Sequence, residues 1–313
     1  MDIKKTYVLL EAGGDLGFGH LIRSYTLCER LEILDYTFPI IKLHGDEEQI
    51  MALNLFRNEI NFINLEEEIQ PIYNSILIVD GYTFDIDYLN SLNKSNNCII
   101  FIADVHKNVP NCEVLINHLP WITKNQYSGI RINQFFLGPD YAILRKAFFK
   151  KASKPEGRFL ICLGSSNVSN EITSIYKALK SINVSDDLID IVHNRPISEI
   201  PITVLKNLNS EQMFQLIETS KYTFITPGNI SYEVFSLNRN CIMGSVSISQ
   251  MDPLIKFQKL NLCVGVGDWA KTDFSNINKW LLKSNSTIES QKLFFINLQS
   301  NLLKKKLLKF FQK

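Results

Sequence analysis

Short apolar runs rich in Ile, Val and Phe alternate along this chain with stretches whose apolar residues recur at helical spacing. Thr6–Leu10 is the first run; Tyr36–Leu43, Ile60–Leu65, Ile76–Val79, Ile99–Ala103 and Val114–Ile116 repeat it. Runs that short, with little polar alternation, predict strands buried on both faces. Glu47–Arg57 and Phe84–Leu92 are amphipathic and predict helices between them. A second series begins near Arg158, with strands over Phe159–Leu163, Leu188–Val192, Tyr222–Ile225, Cys241–Met243 and Leu262–Val266. A helix is expected over Asn170–Leu179, and another opens after the turn Thr226-Pro227-Gly228-Asn229. Ile288–Phe311 closes the chain with a helical pattern whose last turns are basic and amphipathic. This edge reads as a solvated lysine face, with contact to an anionic membrane surface as the alternative. Alternating strands and helices predict an α/β protein built on parallel sheets. The weakly periodic stretch Lys146–Gly157 separates the two series. The expected domains are therefore 1–150 and 151–313, with the closing helix in the second.

The segment from Leu9 to Arg23, L-L-E-A-G-G-D-L-G-F-G-H-L-I-R, joins the first strand to the first helix through Gly13, Gly14, Gly17 and Gly19. A glycine turn into a helix brings backbone N–H groups and the positive dipole end toward an anion. An imidazole, His20, stands at the mouth of that helix, where a plain dinucleotide loop needs none. Beside a bound diphosphate, a neutral histidine could take a proton from water; otherwise it only hydrogen-bonds the loop. Its orienting partner is open at this level, with Glu11 and Asp15 nearby in sequence.

Several predicted strands end in polar residues: Asp80-Gly81-Tyr82, Asp104-Val105-His106 and Asn117-His118. Strand C-termini line the ligand crevice of an open α/β sheet. These residues are pocket candidates, set against the plainer readings of an Asp-Gly turn and a capping aspartate. Asp85 and Asp87 form a D-x-D string in the first turn of a predicted helix, where acids complement the dipole; no metal site is argued from them. Gly228 to Glu233 is a second candidate anion-binding turn, with Glu233 read either as an acceptor of ribose hydroxyls or as an ordinary surface glutamate of a first helical turn, and Gln250 follows the next strand. Gly164–Asn167 is a third glycine and serine turn.

The totals narrow the class. A net charge of +1 over 313 residues gives no general attraction to nucleic acid. No apolar stretch is long enough to span a membrane, and the run after Lys4 and Lys5 is too short for a signal peptide. Six scattered cysteines without a C-x-x-C pair read as reduced thiols of a cytoplasmic protein.

Four strings together resemble a known family: G-F-G-H-L-I-R-S (Gly17–Ser24), F-L-G-P-D-Y-A-I-L-R (Phe136–Arg145), L-G-S-S-N-V-S-N (Leu163–Asn170) and G-N-I-S-Y-E (Gly228–Glu233). They resemble the UDP-2,4-diacetamido-2,4,6-trideoxy-β-L-altropyranose hydrolases of bacterial pseudaminic acid synthesis. That family is related in fold to the peptidoglycan N-acetylglucosaminyltransferase, and spore-coat polysaccharide proteins share its motifs. The resemblance implies a GT-B architecture, two Rossmann-like domains facing across a cleft, with UDP held mainly by the second. It implies hydrolysis of a UDP-linked diacetamido sugar with inversion, without metal or cofactor, giving UDP and free sugar. The family's catalytic histidine falls on His20, the tyrosine of its D-x-Y motif on Tyr82, and its uridine-binding glutamate on Glu233. Expected contacts to the UDP-sugar are Gly17, Gly19, Arg23, Asp80, Gly164, Asn170, Gly228, Asn229, Ser231, Glu233 and Gln250. The chain departs from the family pattern at Leu9, Glu11, Gly13, Gly164–Asn167 and Ser249-Gln250. A glycosyltransferase using a UDP-sugar donor is the alternative on the same fold. A nucleotide-sugar binder without turnover is the third reading.

Overall fold

The computed structural model describes residues 5–67, 69–95, 97–104, 108–164, 167–294 and 301–311, with the side chains of Asp15 and Phe311 set aside. The chain forms two compact units, one running to Ile143 and taking in the C-terminal helix, the other beginning at Leu144.

The first unit carries β1 (Thr6–Ala12), α1 (Gly19–Leu31), β2 (Thr37–Leu43), α2 (Glu47–Leu53), β3 (Asn61–Ile63), β4 (Ile76–Asp80), α3 (Ile86–Lys94), β5 (Cys98–Ile102), β6 (Cys112–Asn117) and β7 (Ile132–Leu137). The strands form one parallel sheet in the order β3-β2-β1-β4-β5-β6-β7. Successive residues alternate between its two faces, so each strand feeds two cores. Val8, Leu10, Ile78 and Ile100 pack with Leu21, Leu27 and Leu31 of α1 on one side. Leu9, Leu77, Val79 and Ile99 pack with Leu89 and Leu92 of α3 on the other. The all-apolar strand pattern therefore reflects a sheet covered twice.

The second unit carries β8 (Arg158–Cys162), α4 (Ser169–Ser181), β9 (Ile189–Val192), β10 (Val204–Leu205), α5 (Ser210–Thr219), β11 (Ser220–Ile225), α6 (Asn229–Ser236), β12 (Asn240–Ser245), α7 (Met251–Lys259), β13 (Val264–Asp268), α8 (Ile277–Ser284) and α9 (Ile288–Phe294). Its parallel sheet runs β10-β9-β8-β11-β12-β13. Both sheets thus reverse direction once, at β1/β4 and at β8/β11, and a doubly wound sheet binds its ligand outside the strand ends at that point.

Three expectations need correction. The units part at Leu144 rather than after residue 150. The helix expected over Ile288–Phe311 is described as two, α9 and α10 (Leu302–Phe311). The latter joins the first unit, burying Leu303 and Leu307 in the same core as Val8 and Leu27. The hydrophobic stripe of such a helix is legible from sequence, but which sheet it seeks is not. Glu47–Arg57 stops at Leu53 because Asn54 turns left-handed at φ 43°. Among the described residues no helix is long and apolar enough to cross a membrane. All six cysteines are free thiols.

Candidate functional site

α1 presents three polar side chains at i, i+3 and i+4 on one face: His20, Arg23 and Ser24, all buried. The face turns toward the end of β4, because β4 lies beside β1 with Leu10 opposite Asp80. Asp80, fully buried, receives all three residues. His20 Nδ1 lies 2.5 Å from Asp80 Oδ1. Arg23 donates from Nε to Oδ2 at 2.9 Å and from Nη2 to Oδ1 at 2.5 Å, and the Ser24 hydroxyl donates to Oδ2 at 3.2 Å. A carboxylate only accepts, so Nδ1 carries the proton toward Asp80 and Nε2 is the nitrogen left for chemistry. The remaining guanidinium nitrogen of Arg23, Nη1, donates to Asp104, just past the end of β5. Tyr82 donates its hydroxyl to the other Asp104 oxygen at 2.9 Å and sets its ring edge-on to His20, with centroids 4.8 Å apart.

A small open pocket is lined by His20, Gly81, Tyr82, Phe101, Ile102, Ala103, Asp104 and Asn108. Its electrostatics follow from the pairing. Burial alone would lower the His20 pKa, but the charge and hydrogen bond of Asp80 outweigh it and leave the imidazole above its ordinary value. Burial likewise works against the Asp80 and Asp104 carboxylates, yet the Arg23 guanidinium holds both below the usual range. Desolvation and the neighbouring Asp104 charge keep the Tyr82 phenol protonated, as a donor. His118, after β6, is pushed down to about 4 by burial and stays neutral.

The structure reassigns several expected residues. Arg23 was expected to reach the UDP-sugar; it is 3% exposed and its guanidinium is committed to two carboxylates. Glu11, a candidate partner for His20, instead accepts from the Tyr82 and Thr83 amides at 2.7 and 2.8 Å and from the Thr83 hydroxyl. It thereby holds the turn that carries Tyr82. Gly81 is required there, since a Cβ would sit 2.8 Å from Glu11 and from the Phe84 ring. The glycines after β1 also have a packing cause. A Cβ on Gly13 or Gly14 would strike the backbone of Gly45 or His44, and the Gly14 amide donates to Asp46. Gly17 sits at φ 64°, while nothing lies within 4 Å of a Cβ built on Gly19. Asn117 ties its amide to the Tyr127 hydroxyl at 2.9 Å, away from the cluster. Asp85 caps α3 by accepting from the Tyr88 amide, which fits the first-turn reading of the D-x-D string. The Asp15 side chain, His106, Ser165 and Ser166 lie outside the described residues. Among the described residues no group of three or more His, Cys, Asp or Glu could hold a metal ion.

In the second unit, Gly164 follows β8 and Gly228 follows β11, two adjacent strands. Thr226 links the turns by donating to the Leu163 carbonyl at 3.4 Å. Both glycines are exposed, with nothing within 4 Å of a built Cβ. Asn170 and Asn229 lie in the first turns of α4 and α6. Ser231 is fully buried; its hydroxyl accepts from the Gly228 amide and donates to the Thr226 carbonyl, holding the turn from inside. Gln250 does similar work by accepting from the Val246 amide at 3.0 Å. Glu233 accepts a two-point bond from Arg145, Nε to Oε1 and Nη2 to Oε2, both at 2.6 Å. Arg145 ends the G-P-D-Y-A-I-L-R string, so two motifs far apart in sequence meet in one ion pair. Sequence reasoning had no signal for that pairing, nor for Asp80 and Asp104 sharing Arg23.

No protein-family model and no curated protein sequence matches the chain. Solved structures do match it along nearly the full length. The spinosyn rhamnosyltransferase SpnG aligns at 10% identity over 99% of this chain and 100% of its own, with a TM-score of 0.63. MurG of Acinetobacter baumannii aligns at 10% identity over 96% and 98%, with a TM-score of 0.59. The UDP-GlcNAc 2-epimerase of Methanocaldococcus jannaschii aligns at 14% identity over 90% and 91%, with a TM-score of 0.51. The two parallel-sheet units and these likenesses establish a GT-B fold of two Rossmann-like domains.

Proposed function

We infer that the protein acts on a UDP-sugar and transfers the sugar to an acceptor hydroxyl, with His20 as general base. The observation that carries this reading is the His20–Asp80 pair at the wall of a pocket, with Nδ1 committed and Nε2 left for proton transfer. Names of the structural neighbours support the substrate class: a rhamnosyltransferase also solved with thymidine diphosphate, and an epimerase of UDP-GlcNAc. In the proposed step His20 Nε2 takes the acceptor proton as the acceptor oxygen attacks C1. The C1–O bond to the β-phosphate breaks, UDP leaves with the bonding pair, and the anomeric configuration inverts. The imidazolium formed is stabilised by Asp80, and a base of this kind contributes about 10²–10⁴-fold in rate. The first unit supplies the base. The second supplies the nucleotide site, with N–H groups of the Gly164 and Gly228 turns on the diphosphate, while Glu233 stays with Arg145 and braces the helix that follows the Gly228 turn.

Hydrolysis is the second reading, favoured by the G-F-G-H-L-I-R string and its resemblance to the diacetamido-sugar hydrolases. Water then takes the place of the acceptor, with His20 in the same role. One experiment separates the two. Purified protein is incubated with UDP-N-acetylglucosamine and with the UDP-linked 2,4-diacetamido-2,4,6-trideoxyhexose, with and without glycan acceptors, and products are read by mass spectrometry. UDP released only with an acceptor, together with a sugar–acceptor adduct, supports transfer. Equal release of UDP and free sugar without acceptor supports hydrolysis. No turnover with either donor, with UDP still bound, leaves the third reading.

A further inference from the structure

The charges around His20 form a chain rather than a pair. Asp80, Arg23 and Asp104 lie in line, bridged by one guanidinium whose three nitrogens are all engaged. Counting formal charges, the four groups sum to −1 when His20 is neutral and to zero when it is protonated. Asp80 alone would be neutralised by Arg23, leaving the imidazole beside a pair with no net charge. The second carboxylate changes that balance. Asp104 is one-quarter exposed, the only one of the two acids with a surface on the pocket. Other ionisable groups around His20 among the described residues are Tyr82 on the turn after β4, His118 after β6 and Glu11 on β1. Tyr82 bonds Asp104, Glu11 is committed to the Tyr82 turn, and His118 is neutral.

The geometry points to Asp104 as a positioning residue for His20. Acting through Arg23, it fixes the guanidinium against Asp80 and supplies the second negative charge that makes His20 a stronger base. The role as a base rests on the proposed function; the electrostatic link to Asp104 does not. A charge removed a few ångströms away through a shared guanidinium shifts a buried imidazole by about one pH unit or more.

The test is a titration of the full-length protein carrying ¹⁵N-labelled histidine, following the His20 imidazole by NMR in wild type, Asp104→Asn and Asp104→Glu. Expected is a wild-type midpoint above 6.5, a fall of about one unit or more in Asp104→Asn, and recovery in Asp104→Glu. An unchanged midpoint in a folded Asp104→Asn overturns the proposal, whatever the reaction proves to be. Should Asp104→Asn fail to fold, Tyr82→Phe keeps the buried ions intact and removes one donor from Asp104. The less-shielded carboxylate then raises the midpoint by a few tenths of a unit, and no change or a fall overturns the link. Where turnover is found, Asp104→Asn lowers kcat about ten- to a hundredfold with KM nearly unchanged, and the acid limb of its pH profile moves down with the midpoint. If neither donor turns over but the midpoints move as expected, the reaction assignment fails and the link stands.

Discussion

The two units solve the problem of polar groups at a sheet's switch point in opposite ways. In the first, ionisable side chains are buried against one another: Asp80 fully, Arg23 and His20 nearly so. Burying such charges is costly unless they are paired, and here every partner is supplied from within the unit. In the second, the matching position is occupied by exposed glycine turns, while the polar side chains beside them are spent on internal bonds. A site made of side-chain charges suits proton transfer, and a site made of backbone N–H groups suits an anion that must approach closely. The contrast is one of chemistry on the same scaffold, since both sheets have the same parallel winding.

Substitutions can break that contrast, starting where the effect is largest. His20→Asn is expected to lower kcat about 10²–10⁴-fold while UDP affinity, measured by calorimetry, stays within twofold. A matching loss of UDP binding would place nucleotide recognition in the first unit as well. Arg145→Leu leaves the Glu233 carboxylate buried without its partner and is expected to destabilise the second unit by about 3 kcal/mol in urea unfolding. A smaller difference separates two glycines. Gly81→Ala forces a Cβ against Glu11 and Phe84 and should cost about 1–3 kcal/mol, read as a lower Tm. Gly228→Ala meets open space, so Tm should hold within about 1 °C while UDP binding weakens about tenfold as the methyl obstructs the turn.

The most gradual effect concerns pH. The unfolded chain protonates His118 as pH falls below about 6.5, whereas the folded chain resists until about 4. Stability therefore drops on acidification through that window, and His118→Gln should make the slope shallower by about 1 kcal/mol per pH unit in urea titrations at several pH values. His20 acts with the opposite sign. Its raised folded pKa contributes stability that is fully present below about 6.5 and is lost as pH rises through the folded value.

Much of this architecture can be read without coordinates, because strands buried on both faces leave long apolar runs such as Ile76–Val79 and Ile99–Ala103. The edge strand β7 escapes that reading. Ile132–Leu137 reads I-N-Q-F-F-L and is mostly half-buried, so its polar centre hides a strand. At the site, His20, Asp80 and Tyr82 were recognisable from glycine context and strand ends. Their bonding was not, because parallel strands join residues 20, 80 and 104 through sheet order rather than proximity in sequence. Glu11 shows the limit well: close to His20 along the chain and a candidate partner for it, it serves a different turn.

The return of α10 to the first unit has a consequence for synthesis and truncation. Arg30 donates to Asn301, Lys304 pairs with Glu32 and Lys306 with the Tyr141 hydroxyl, around the buried Leu303 and Leu307. The histidine-bearing domain is therefore assembled from segments that flank its neighbour in the chain. It reaches its finished form only after the ribosome has passed through the whole of its neighbour, and removing α10 would unsettle the domain that was translated first.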